Sequence, residues 1–224
     1  MGMKKSRIVL WGSLTVVITV ISSSCLHWPR GQPNLILDPC TCSNSLDGYR
    51  REATTNALPP CGKIVSLAPS DMCQWWGPGG DFDSRTPRTW DECRWFAVTG
   101  RVAAVTATRD CGIQITLEDA DGKNSCQALV GIPLGEQWCI LRQIVFSWST
   151  VDFRRPYVAR GDCQSGDYIT LTNHPVIRVV GPIFYDACHT IHGDTHLNRR
   201  PAIPGRPTAA VWEIHPVMEL EELH

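Results

Sequence analysis

Thirteen consecutive residues, Phe184 to His196 (FYDACHTIHGDTH), hold three histidines, two aspartates and a cysteine. One more histidine follows in VWEIHPV, Val211 to Val217, and six of the seven histidines fall between His174 and His224. An imidazole beside a carboxylate serves metal centres and general bases alike, because the carboxylate fixes which ring nitrogen carries the proton. Three kinds of chemistry fit these residue types. The first is a structural network, favoured because a long loop returning to a sheet needs its polar groups satisfied. In it Asp186 and Glu213 accept hydrogen bonds from His189 and His215, and no cofactor is required. The second is a divalent transition-metal site built on Asp186, His189 and His215. His192 and His196 are further donors there, since His189-x2-His192-x3-His196 has ligand-like spacing. The third is hydrolysis, such as phosphodiester cleavage, which needs a basic phosphate clamp beside the acids. Arg199, Arg200 and Arg206 are the residues available for it.

Other motifs narrow the field. The chain has no phosphate-cradling glycine loop, no dinucleotide fingerprint and no G-x-S-x-G elbow, and its spacing assigns no catalytic residue. Asp119, Asp121, Asp162 and Asp167 fall at turn positions and read as turn residues rather than calcium ligands. The formal net charge is −1 and only 19% of residues are charged, with the two signs interleaved. Nucleic acid and anionic membrane surfaces both select a basic stripe, so neither is the expected partner.

The elements that must position these residues are mostly strands. RWFAVTGRVAAVTATRD (Arg94 to Asp110) alternates and is rich in β-branched residues, with Gly100 where a strongly bent strand would place it. GIQITLEDADG alternates as Ile113, Ile115 and Leu117 against Gln114, Thr116 and Glu118, and ends in an Asp-Gly turn signal. SCQALVGIP reads as a third strand, completing a meander. Trp138, Leu141 and Ile144/Val145 fall at helical spacing within Gly135–Phe146. A strand from Asp167, a turn at Asn173-His174-Pro175 and a long strand Val176–Tyr185 follow. AVWEIHPVMELEEL closes the chain as one last strand. Strand alternation puts Trp212, Ile214 and Met218 on its core face and Val211, Glu213, His215 and Val217 on its outer face. Five or six strands with one inserted helix predict a mainly β fold, an OB-like β-barrel, with a small β-sandwich as the competitor.

TGRVAAVTATRDCGIQITLEDADG, VIRVVGPIFYDACH and WEIHPVMEL together resemble a poorly characterised group of bacterial exported domains. In that group a T-G-x-V … D-G-D-x-H-L-x-L-x-D meander accompanies a V-x-V-x-G-x-x-F-x-D-x-x-H strand and a terminal E-[IL]-H-P-V strand. The resemblance covers residues 96–222; it implies an OB-like barrel and supplies no activity. The chain departs from the pattern at Arg109-Asp110-Cys111-Gly112, which lacks the histidine, and at Thr190, where the group has glycine.

The opening MGMKKSRIVLWGSLTVVITVISSSC has a basic start at Lys4, Lys5 and Arg7, an apolar run from Ile8 to Ile21 and three small serines. This is the layout of a secretory signal peptide over residues 1–24, its apolar run short for a helix spanning ~30 Å of hydrocarbon, with an uncleaved amino-terminal anchor as the alternative. Eleven cysteines are present. Setting aside Cys25 as the lipidated first residue of a mature lipoprotein leaves an even set: Cys40, Cys42, Cys61, Cys73, Cys93, Cys111, Cys126, Cys139, Cys163 and Cys188. These are the disulfide candidates, since an exported chain this rich in cysteine is normally oxidised. Cys40 and Cys42 form CxC, not the CxxC of structural zinc sites. Residues 25–92 have little periodicity and read as an irregular, disulfide-tied segment with a short helix, in which Trp75, Trp76 and Trp90 are apolar anchors; tryptophans in loops also serve as ligand platforms, but packing is the commoner role. Residues 93–224 are the barrel domain. The expected function is an exported binding or structural module of the bacterial cell envelope, membrane-anchored through acylated Cys25 or else periplasmic or extracellular with Cys25 as a free thiol, its partner an envelope protein or small ligand. The alternative is a metal-binding or hydrolytic enzyme using Asp186, His189, Glu213 and His215.

Overall fold

The computed structural model describes Cys40 and residues 57–75, 77, 86–108, 111–124, 126–149, 167–185 and 209–224. A three-residue strand, β1 (Val65–Leu67), and a single helical turn, α1 (Pro69–Met72), come first. A 3₁₀ turn (Trp90–Cys93) then leads into β2 (Trp95–Ala107), the longest strand. β2 serves two partners along its length among the longer strands. Its first half, Trp95–Arg101, pairs antiparallel with β6 (Val176–Tyr185), and Arg101–Ala107 pairs with β3 (Ile113–Glu118). A strand that changes partners must bend, and Gly100 stands at the change. A Cβ there would meet the Glu118 carbonyl oxygen at 2.7 Å and Pro69 Cγ at 2.8 Å, so the close approach requires glycine.

β3 continues the meander into β4 (Gln127–Ile132), and β4 pairs in parallel with β7 (Ala209–Ile214). β7 pairs antiparallel with β6, which returns to β2, so β2, β3, β4, β7 and β6 close a ring. Five strands closed through one parallel pair, with a helix between the third and fourth, form an OB-type barrel; ring closure excludes the two-sheet sandwich. The helix is α2 (Cys139–Ser147), preceded by a 3₁₀ turn at Glu136–Trp138, as the helical spacing predicts. Trp138, Val145 and Phe146 join the barrel core, while Ile140 is exposed. Two short strands lie at the margins: β5 (Asp167–Ile169) pairs with β2, and β8 (Glu219–Leu223) with β6.

The core is aliphatic, with Ile113, Ile115, Val130, Ile177, Val179 and Ile214 at its centre. The last segment departs from expectation. It is two strands, not one, separated by a corner at the cis His215–Pro216 peptide. Residues between Ile214 and Glu219 leave the ladder, so alternation is reset: Val217 is fully buried in the core and Met218 is 40% exposed, the reverse of the sequence expectation. Val211 is also buried in the core cluster rather than facing outward.

The segment before the barrel is tied down as expected. Disulfides join Cys61 to Cys93, Cys73 to Cys126 and Cys40 to Cys139, across 32, 53 and 99 residues. Cys111 is disulfide-bonded too, to a cysteine outside the described residues. Trp75 packs against Phe96 with ring centroids 5.0 Å apart, whereas Trp90 is no packing anchor at all: it is 81% exposed. Trp76, Cys25, Cys42, Cys163 and Cys188 lie outside the described residues.

Candidate functional site

β7 carries Glu213 between two neighbours, paired with Phe184 of β6 on one side and Leu129 of β4 on the other. Its side chain was expected on a solvated outer face. Instead it is 4% exposed, because β6 and β7 are buried on both faces. A buried carboxylate must be hydrogen-bonded. Gln114, reaching across from β3, donates its Nε2 to Glu213 Oε2 at 3.2 Å, and His215 Nδ1 lies 3.1 Å from Glu213 Oε1. With Nδ1–H donating to the carboxylate, a neutral ring leaves Nε2 as an acceptor. That Nε2 is buried and has no hydrogen-bond partner among the described residues.

Three further residues fix the imidazole. Gly131 of β4 lies beneath it, and a Cβ there would collide with the ring. Phe184 packs at 5.5 Å between centroids. Arg88, from the segment before the barrel, donates to the Ile183 carbonyl at 3.0 Å and to the His215 carbonyl, and its guanidinium stands 5.6 Å from the Phe184 ring centre. Glu92 then secures the end of β6. It is fully buried, accepting from the Tyr185 amide at 2.9 Å and the Thr89 amide at 2.6 Å. The chain leaves β6 towards the histidine-rich stretch directly after Tyr185.

Of the residues singled out in the sequence, Glu213 and His215 are brought together. Asp186, Cys188, His189, His192, His196, Arg199, Arg200 and Arg206 lie outside the described residues. Among the described residues no three His, Cys, Asp or Glu side chains converge as metal ligands, and His215 Nε2 offers one donor position. Of the four aspartates expected in turns, Asp119 and Asp121 lie at the turn after β3, whereas Asp167 is in a strand. Asp119 accepts from the Ser70 amide at 2.9 Å and from Asn124. Burial pushes its carboxyl up, but the bonds from Asn124 and Ser70 outweigh burial and hold it below the usual carboxylate range. Asp121 pairs with Lys123 at 2.9 Å, and Asp167 opens β5; Asp162 is outside the described residues.

Sequence reasoning passed over Gln114, Arg88, Glu92 and Arg142. Glu92 had a signal, since Thr89-Trp90-Asp91-Glu92 is a capping-box pattern. Gln114 had none, because its partner is 99 residues away. Arg142 is fully buried and donates to the Cys111 carbonyl at 2.8 Å, joining α2 to the β2–β3 connection. The placement of Glu213 and His215 is that of a rigid, oriented imidazole on an OB-type barrel.

No family model matches the chain, and no curated protein matches it. Among solved structures, the chain is similar to Entamoeba histolytica asparaginyl-tRNA synthetase, at 14% identity and a TM-score of 0.31 in the complex with asparaginyl-adenylate. The structure of that synthetase described without the adenylate gives 15% identity and the same score of 0.31. Both matches cover 58% of this chain and 20% of the synthetase.

Proposed function

We propose that this chain is an exported binding or structural module of the bacterial cell envelope, held at the membrane by lipid on Cys25. The observation that carries the reading is the disulfide set. Cys61–Cys93, Cys73–Cys126 and Cys40–Cys139 each tie a segment outside the barrel ring to the barrel or its flanking elements. A fold stapled this way belongs in an oxidising compartment, because cytosolic thiol pools keep such cysteines reduced. The basic start, apolar run and serines before Cys25 support export and acylation at that residue. Several acyl chains on one cysteine give stable anchoring, each buried CH₂ contributing ~0.8 kcal/mol. Among the described residues no helix is long and apolar enough to cross a membrane. The direct test is metabolic labelling with an alkyne-tagged fatty acid in a bacterial host. Label should appear on the wild-type chain in the membrane fraction and be lost with Cys25→Ala; an unlabelled wild-type chain overturns the anchor.

One observation favours a second reading. Glu213 fixes the His215 ring and leaves a buried Nε2 without a partner among the described residues, the condition of a ligating or proton-accepting imidazole. In that reading Asp186, His189 and His215 hold a divalent transition metal. Stoichiometric zinc, copper or nickel in the purified protein, lost with His215→Ala, would establish it; metal content unaffected by that change would remove it.

A further inference from the structure

Trp90 is the most exposed large apolar side chain among the described residues, at 81%. It does not sit on a loose loop. Its 3₁₀ turn is closed by the Thr89 amide on Glu92, by the Arg94 amide on the Asp91 carbonyl at 3.1 Å, and by the Cys61–Cys93 disulfide. A rigid backbone thus holds a large indole in water, the reverse of what apolar burial favours. Beside it opens a cleft of about 420 Å³, lined by Lys63, Val65, Trp90, Asp91, Arg94 and Trp95 among others. That volume lies within the ~300–1,000 Å³ of small-ligand sites. Two walls are fixed: the Trp95 indole N–H donates to the Leu58 carbonyl at 2.8 Å, and the Arg94 guanidinium stands 5.2 Å over the Phe96 ring. Lys63, Asp91 and Arg94 are all exposed. Among the described residues, the side chains of Lys63 and Asp91 form no ion pair or hydrogen bond.

We infer that this cleft is a binding site for an acidic saccharide. The apolar C–H face of a sugar ring fits an exposed indole, as Trp90 presents. Two cations against one carboxylate select a ligand bearing its own carboxylate, which Lys63 and Arg94 would bind, while Asp91 accepts from a hydroxyl. A peptide added as a strand is the competing occupant, because β1 lies at the end of the strand order and pairs with β2 alone among the described strands. β1 is only three residues long, however, and very short edge strands are poor templates for strand addition. Preorganised walls lower the entropic cost of binding, which suits a small polar ligand. The inference does not depend on whether Cys25 is acylated.

The test is calorimetric titration of the oxidised chain with trigalacturonate, with its neutral counterpart galactotriose, and with an extended peptide of alternating Val and Glu. Trigalacturonate should bind, weaken as salt is raised, and exceed galactotriose in affinity. Trp90→Ala should cost at least about tenfold in affinity with an unchanged melting temperature, because the side chain packs on little. Lys63→Gln should weaken trigalacturonate and leave galactotriose unaffected. Failure of trigalacturonate to bind, equal affinity for the two sugars, binding that survives Trp90→Ala, or preference for the peptide would each overturn the inference.

Discussion

At the scale of single residues, the buried centre is defined by shape as much as by hydrogen bonding. Gln114 and His215 both rest on Glu213, and the imidazole lies where a side chain at position 131 would be. Gly131→Ala should therefore destabilise the fold by about 1–3 kcal/mol, the cost of overpacking. In a His215→Ala background the same change should cost at least about 1 kcal/mol less, a coupling read from a double-mutant cycle in urea. Additive costs would mean that the ring does not occupy that space. Asp119 gives a pH-dependent test. Its carboxyl is held low by Asn124 and Ser70 against burial, so its contribution is complete above the unfolded value of about 3.9 and is lost as pH falls through the lower folded value. Asp119→Asn should be less stable than wild type by about 1 kcal/mol at neutral pH, and the difference should narrow below about pH 4. A constant difference across that range would contradict the assignment. The pairing of Glu213 with His215 was legible because alternation sets residues two apart on one side, although His215 stands just past the end of β7. Their burial was not, because alternation says which side a residue takes and not whether that side is covered. Gln114 and Arg88 were invisible to local pattern, since each acts on a strand far away in sequence, and the capping-box pattern at Glu92 did not announce its bond to the Tyr185 amide.

At the scale of elements, alternation identified the meander, and the helix came from apolar spacing at Trp138, Leu141 and Val145. The failure lay at the end of the chain. VWEIHPVMELEEL contains Pro216, and a proline within an apparent strand marks a break or an edge; the corner there turns one predicted strand into β7 and β8. Of the short elements before the barrel, a short helix was expected but could not be placed and β1 was not read, because both have too few residues to show a period and are held from outside. Asp119 bonds the Ser70 amide of α1, and Cys73 just after α1 is bonded to Cys126 just before β4. Replacing Cys73 and Cys126 together with serine should cost about 2–5 kcal/mol, measured by guanidinium denaturation of the non-reduced protein. Retention of full stability would show that packing alone holds α1.

At the scale of the whole molecule, a closed five-strand ring is surrounded by marginal pieces that disulfides secure. Seven described cysteines are disulfide-bonded: three pairs and Cys111. The proposed export rests on this pattern together with the amino-terminal sequence, and an odd cysteine count becomes even once Cys25 is set apart. The measurement that bears most directly on this account is the intact mass of the native protein purified from a bacterial host, before and after reduction and alkylation. The mature chain should begin at acylated Cys25, with no thiol alkylated until the disulfides are reduced. A chain that still carries residues 1–24, begins at an unmodified residue, or has most of its thiols alkylated without reduction would contradict it.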